Sequence, residues 1–397
     1  MRNLRKLTIV FHHAGGGHRS AAEALQARLS SQEQPWDVTL LDIQELLDPL
    51  DLIRRLTGLR IQDTYNVILR KGWTRFTPQL LVVLQATIRA YHSSIVKLLR
   101  DYWEQHPADL VLSVIPHFNR EIAESLRVDG LRSAATPPFV TLITDLADYP
   151  PHFWIERESE YIIAGTDRAR QQALAMGIAE DHIFRTSGMI LKPKFYAKTV
   201  VDRVAERTRL GLDPDCPTGI VLFGGHGSQV MVDIARRLDE SGSGVQLILI
   251  CGHNDKLAAQ LKNLRTKKPM AVVGFAQNVE YYMALSDFFI GKPGPGSISE
   301  ALQFHLPVIV ECNSKTLPQE RYNAEWVTEN GYGIVVPTFQ QIAGAVRRLL
   351  EGPTFETFRG EAGEYSNRAL VEVPLILEQC AEQNTALDLS LKRESVI

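Results

Sequence analysis

The chain has 397 residues, 45% hydrophobic and 22% charged, a globular composition long enough for two domains with separate cores. Its four cysteines form no CxxC pair and no zinc-ligand spacing with histidine, which excludes a disulfide scaffold and a zinc module and fits a reduced compartment. No run of 18 apolar residues reads as a membrane span, and a net charge of −3 gives no footprint for nucleic acid.

Lys6 to His13 reads as a first strand running into a glycine turn, not as a signal peptide. Ala14-Gly15-Gly16-Gly17-His18-Arg19 follows, then a predicted helix from Ser20 to Leu29. The turn is not the dinucleotide fingerprint, because Ser20 stands at the third glycine position and His18 fills a variable slot. His18 sits at the carboxyl end of a strand, where open α/β sheets bind ligands. The positive end of the helix dipole is expected to lower its pKa and favour the neutral imidazole that a general base needs. The plainer alternative is a histidine that caps its own helix.

Val38 to Asp42 is a second strand, and residues 43 to 105 read as helical. From Arg54 to Arg100 there are nine Lys or Arg and one acid, Asp63. Arg70, Lys71 and Arg75 interleave with Trp73 and further aromatic and aliphatic residues, a pattern suited to an anionic lipid surface. A solvated helical face is the alternative. Leu110 to Ile115 and Phe139 to Ile143 are buried strands, and Thr144-Asp145 follows the second of them. Tyr149 to Trp154 is a proline-stiffened aromatic loop, either a packed corner or part of an acceptor pocket. Tyr161 to Ala164 and His182 to Thr186 are strands around a helix from Asp167 to Met176. A linker is expected from Pro193 to about Val204. Asp213 and Asp215 make a formal DxD, but the proline between them in a turn argues against a metal site.

The second half repeats the pattern. Thr218 to Phe223 is a strand, followed by the turn Gly224-Gly225-His226-Gly227-Ser228 and a helix from Val230 to Glu240. Val245 to Cys251 and the short Val272 to Phe275 are further strands, each followed by a helix. Phe288 to Gly291 runs into Lys292-Pro293-Gly294-Pro295-Gly296. Ser297 is expected to cap the next helix, with Glu300 completing a capping box. A glycine turn that feeds a helix N-terminus after a parallel strand suits an anion, and Glu300 is placed to accept from a ribose diol. The tail reads as helical from Thr354 to Asn384. The fold class is α/β, with two Rossmann-like domains over 1–195 and 196–365. A C-terminal helix and tail, 366–397, is expected to pack back on the first domain. Two such domains imply a cleft for small ligands.

Several segments, in order, carry a resemblance: Gly15 to Leu25 (GGGHRSAAEAL), Ile143 to Leu146 (ITDL), Leu247 to Leu257 (LILICGHNDKL) and Lys292 to Leu302 (KPGPGSISEAL). Gln319-Glu320-x-x-Asn323 and Glu329 to Gly331 complete the set. Over residues 6 to 350 the chain resembles the monogalactosyldiacylglycerol synthases and processive diacylglycerol glucosyltransferases, and more distantly the peptidoglycan glycosyltransferase MurG. The resemblance implies a GT-B, inverting, metal-independent hexosyltransferase that uses a UDP-sugar as donor substrate and no cofactor. Galactose is favoured over glucose. It implies His18 as base and a diphosphate site at Gly294, Gly296 and Ser297. Glu300 is implied at the ribose, and Gln319, Glu320 and Asn323 at the sugar. Gly274-Phe275 is implied near uracil, and Gly224 and Gly225 on the donor side. On the acceptor and membrane side stand Gly16, Gly17, Arg70, Lys71, Trp73, Arg75, Asp145 and Trp154. Diacylglycerol or a related lipid, on the cytoplasmic face of an anionic membrane, is the implied acceptor. Two positions depart from the family pattern: Pro150 stands where a histidine is expected, with His152 two residues on, and His226 where a small or acidic residue is expected. A UDP-GlcNAc 2-epimerase and a non-catalytic UDP-sugar sensor are the alternatives.

Overall fold

The computed structural model describes residues 4–13, 16–33, 35–50, 77–127, 136–197 and 200–394. It divides into two compact units, one of residues 1–193 with 368–397, the other of residues 194–367. Each holds one sheet that is six-stranded among the described residues, and every pairing is parallel.

In the first unit the strands are β1 (Lys6–Phe11), β2 (Asp37–Asp42), β3 (Leu110–Ser113), β4 (Phe139–Leu142), β5 (Tyr161–Ala164) and β6 (Ile183–Arg185). Their spatial order is β2-β1-β3-β4-β5-β6. A parallel sheet covered on both faces needs apolar strands rather than alternating ones. β3, β4 and β5 are buried at every position, as this requires. Order reverses between β1 and β3, so the crevice at their carboxyl ends is the expected ligand position. The helix Ala369–Glu394 belongs to this unit and packs against the helix Gly17–Ser30. Its start is tied down by Glu372, which accepts from the backbone N–H (2.7 Å) and hydroxyl (3.0 Å) of Ser187.

In the second unit the strands are β7 (Thr218–Leu222), β8 (Gln246–Ile250), β9 (Met270–Val273), β10 (Phe288–Gly291), β11 (Val308–Glu311) and β12 (Gly333–Val336). Their order is β12-β11-β10-β7-β8-β9, which places the reversal between β7 and β10. Both glycine-rich turns of this half, Gly224 to Ser228 and Lys292 to Gly296, leave the carboxyl ends of those two strands. The core joins Val221, Leu249, Phe288 and Ile290 of the sheet to Ile234, Leu261 and Val346 of the flanking helices. Arg207, 5% exposed, closes the bottom of this unit by pairing with Asp287 at 2.8 Å.

Some expected elements differ. Of the helical reading over 43–105, the described residues form a helix Ile43–Leu47, a 3-10 turn Asp48–Leu50 and a helix Thr77–Gln105. Residues 51–76, with Arg70, Lys71, Trp73 and Arg75, lie outside the described residues. The single tail helix is two, Gly352–Glu364 and Ala369–Glu394, because the chain passes from one unit to the other between Asn367 and Arg368.

Candidate active site

In the first unit the turn after β1 passes through Gly16, left-handed at φ 79, and enters the helix Gly17–Ser30. His18 is therefore in its first turn. Its ring is half-buried, 4.5 Å from the His12 ring and 5.7 Å from the Trp154 ring, centroid to centroid. Its Nδ1 lies 3.0 Å from Thr144 Oγ1. Burial lowers its pKa to about 4, and a hydrogen bond to the Val114 carbonyl opposes the shift. The neutral form is thus favoured as expected, but desolvation is the main cause rather than the helix dipole. A neutral imidazole has one N–H, and the tautomer that carries it on Nδ1 presents Nε2 as a lone pair.

The wall beside His18 is built by Asp145 and Trp154. Trp154 is fully buried, and its Nε1–H donates to Asp145 Oδ2 at 2.9 Å. Full burial corrects any direct membrane contact for Trp154. The loop before Trp154 is a packed corner: Asp148 accepts from the backbone N–H groups of His152, Phe153 and Trp154 at 3.1, 2.9 and 2.6 Å. His152 stays exposed, with φ 63.

The second unit assembles the donor-side candidates. The helix after β10 runs from Pro295 to Leu302, with Gly294 as N-cap and no side-chain cap. The expected capping box is absent, because the helix begins three residues earlier and Ser297 lies inside its first turn. Proline at the first helical position gives up an N–H that has no partner anyway. The next N–H groups, of Gly296 and Ser297, are those that any helix leaves without an internal acceptor. Glu300 is half-buried one turn on. Glu320, 8% exposed, accepts from Lys292 Nζ at 2.5 Å. Lys292 thus brings a cation to the glycine turn, a residue that motif reading left without a role. Asn323 is fully buried, and its Nδ2 donates to the Pro293 carbonyl at 2.8 Å, so it braces the turn from behind. Gln319, at the start of the same helix Pro318–Glu329, is half-buried.

The other donor-side turn is locked to its neighbour. A Cβ at Gly252, φ +59, would fall 2.1 Å from the Gly225 carbonyl oxygen, so only glycine fits there. His253 N–H donates to that same carbonyl at 2.9 Å. The His253 ring stacks on Phe275 at 4.0 Å and 18° between planes, leaving Phe275 55% exposed beyond Gly274. Sequence reasoning missed His253 as a platform, although it stands inside a quoted motif. His226 lies exposed on the same edge, 6.2 Å from the His253 ring. Asp213 Oδ1 accepts from Asp215 N–H at 3.0 Å, so the formal DxD closes a turn on itself. Grooves of ≈ 450 and ≈ 480 Å³ elsewhere in this unit are lined by none of these turn residues.

Comparison with known proteins places these features. Residues 220–354 match the glycosyltransferase family 28 C-terminal domain. A probable chloroplastic monogalactosyldiacylglycerol synthase of Glycine max is 30% identical over 364 residues, which cover 89% of this chain. The chain spans 66% of that relative's length. Among solved structures, MurG of Acinetobacter baumannii superposes with a TM-score of 0.62 at 11% identity, covering 94% of this chain and 99% of MurG. A UDP-GlcNAc 2-epimerase of Neisseria meningitidis reaches 0.57 at 14% identity, covering 94% of this chain and all of the epimerase. Likeness at these identities establishes the fold, which is GT-B.

Proposed function

The chain belongs to glycosyltransferase family 28, and from that premise we propose that it is an inverting, metal-independent hexosyltransferase acting at a membrane surface. It moves a hexose, galactose in preference to glucose, from a UDP-sugar to diacylglycerol or a similar lipid. The observation that carries this is the match, over 89% of the chain, to a protein named as a galactolipid synthase. The site residues supply chemistry of the right kind. The acceptor oxygen attacks the anomeric carbon, the bond to the diphosphate breaks, UDP leaves, and the acceptor proton passes to His18 Nε2. In the second unit the N–H groups of Gly296 and Ser297 and the ammonium of Lys292 oppose the charge that develops on the leaving diphosphate. Glu300 receives the ribose diol, and the exposed face of Phe275 lies open to uracil. Glu320 and Gln319 serve the sugar, with Asn323 holding their turn. The exposed Val82 and Val83 of the helix Thr77–Gln105 (65% and 61%) give the first unit an apolar contact for lipid.

The test is a reaction of purified protein with UDP-galactose or UDP-glucose, a chelator and vesicles of diacylglycerol with anionic lipid, followed by mass analysis. A glycolipid from UDP-galactose, unaffected by chelator, is expected. Hydrolysis or epimerisation of the nucleotide sugar without glycolipid would refute the lipid transfer. Replacement of Glu300 by Ala is expected to weaken UDP binding by roughly tenfold, the loss of a charge-assisted hydrogen bond. Unchanged affinity in calorimetry would remove the ribose role.

A further inference from the structure

His117 has no part in the chemistry described above. It follows β3, whereas His18 follows β1, so the two histidines approach the switch point of the first sheet from neighbouring strands. Its backbone is left-handed at φ 75, a conformation that costs a non-glycine residue on the order of 1 kcal/mol. Neighbouring contacts impose it: the His117 N–H donates to the Phe153 carbonyl at 2.9 Å, and its ring stands edge-on to Phe153 at 4.4 Å. Asn119 extends the same stitch, donating to the Trp154 carbonyl at 2.8 Å. Burial first and charge on His18 second lower the His117 pKa to about 4, so the rings lie within electrostatic reach and both stay neutral at pH 7. Among the described residues the ring nitrogens of His117 make no hydrogen bond, although the ring is half-buried. Neither ring nitrogen is a buried atom without a partner, so the ring can meet a ligand from solvent.

We propose that His117 is a second acceptor-binding residue, whose ring N–H donates to an ester carbonyl oxygen of the lipid, a few bonds from the hydroxyl that His18 deprotonates. A neutral imidazole offers one N–H, and an ester carbonyl entering an apolar wall at Phe153 needs one donor. The assignment depends on the acyl-glycerol acceptor proposed above.

The test compares diacylglycerol with its dialkyl-ether analogue, which lacks the carbonyls, at fixed UDP-sugar. The wild-type enzyme is expected to favour the ester by roughly five- to tenfold in kcat/KM for the lipid, the net effect of one hydrogen bond. His117→Phe keeps the ring and removes the donor, so the preference should vanish while KM for the UDP-sugar stays unchanged. His117→Asn tolerates a left-handed backbone and keeps a donor, so it should restore part of the preference. Equal use of ester and ether by the wild type overturns the inference, and so does an undiminished ester preference in His117→Phe. Should that variant fail to fold, the wild-type ratio and His117→Asn still decide. Turnover without ester dependence sinks the inference alone, whereas no glycolipid from diacylglycerol sinks the proposed function with it.

Discussion

His18 shows how one side chain is prepared by its surroundings. Burial against Trp154 and His12 removes water from the ring, and the Thr144 hydroxyl fixes Nδ1. His18→Ala is expected to keep UDP affinity, since the donor turn belongs to the other unit, and to lose transfer by about 10²- to 10⁴-fold. Normal turnover in that variant would remove the base assignment. His12 and His117 are also held neutral by burial, so three imidazoles titrate below their ordinary value of 6.5. Between pH 6.5 and about 4 the unfolded chain binds protons that His18 and His117 refuse in the native state, so stability rises with pH across that window. Their contribution is present above pH 6.5 and lost as pH falls through about 4. Calorimetry should show Tm falling over that range, and less steeply in His117→Asn. A Tm that is flat from pH 6.5 to 4 would contradict the burial argument.

At the scale of elements, the helix Thr77–Gln105 is held to the helix Asn119–Ser125 by His92, whose ring nitrogens lie 2.8 Å from Glu121 Oε1 and 2.8 Å from Glu124 Oε2. Burial alone would lower His92, but the two carboxylates outweigh it and raise its pKa. A neutral ring has one N–H, so only the imidazolium serves both carboxylates. The sign is opposite to that of His18: the contribution is full below pH 6.5 and is lost as pH rises through the raised value. Amide exchange in residues 82–100 should quicken on that rise in the wild type and show no such step in His92→Gln. The same steepening in both proteins would rule the clamp out. Sequence pattern revealed the strands and the glycine turns of this fold because apolar runs and glycine punctuation are local. It did not reveal the His92 clamp or the Lys292–Glu320 pair, whose partners are 29 and 28 residues away in the chain. Nor did it show that Trp154 faces inward. An aromatic next to a histidine in a loop reads alike whether Asp148 folds that loop into the core or leaves it on the surface. The misplaced cap at Ser297 has a local cause: Pro295 suits the first turn of a helix, so the helix starts before the serine.

For the whole molecule, His18 follows β1 beside the reversal of the first sheet, and the turns Gly224 to Ser228 and Lys292 to Gly296 follow β7 and β10 beside that of the second. In the proposed reaction the first unit takes the acceptor and the second the diphosphate. Among the described residues no helix is long and apolar enough to cross a membrane. The central claim is inverting transfer to lipid, and it is tested most directly by the anomeric configuration of the product. Wild-type protein with α-linked UDP-galactose and diacylglycerol vesicles should give a glycolipid whose anomeric proton, by NMR coupling, is β. An α-linked glycolipid, or UDP released with no glycolipid at all, would contradict it.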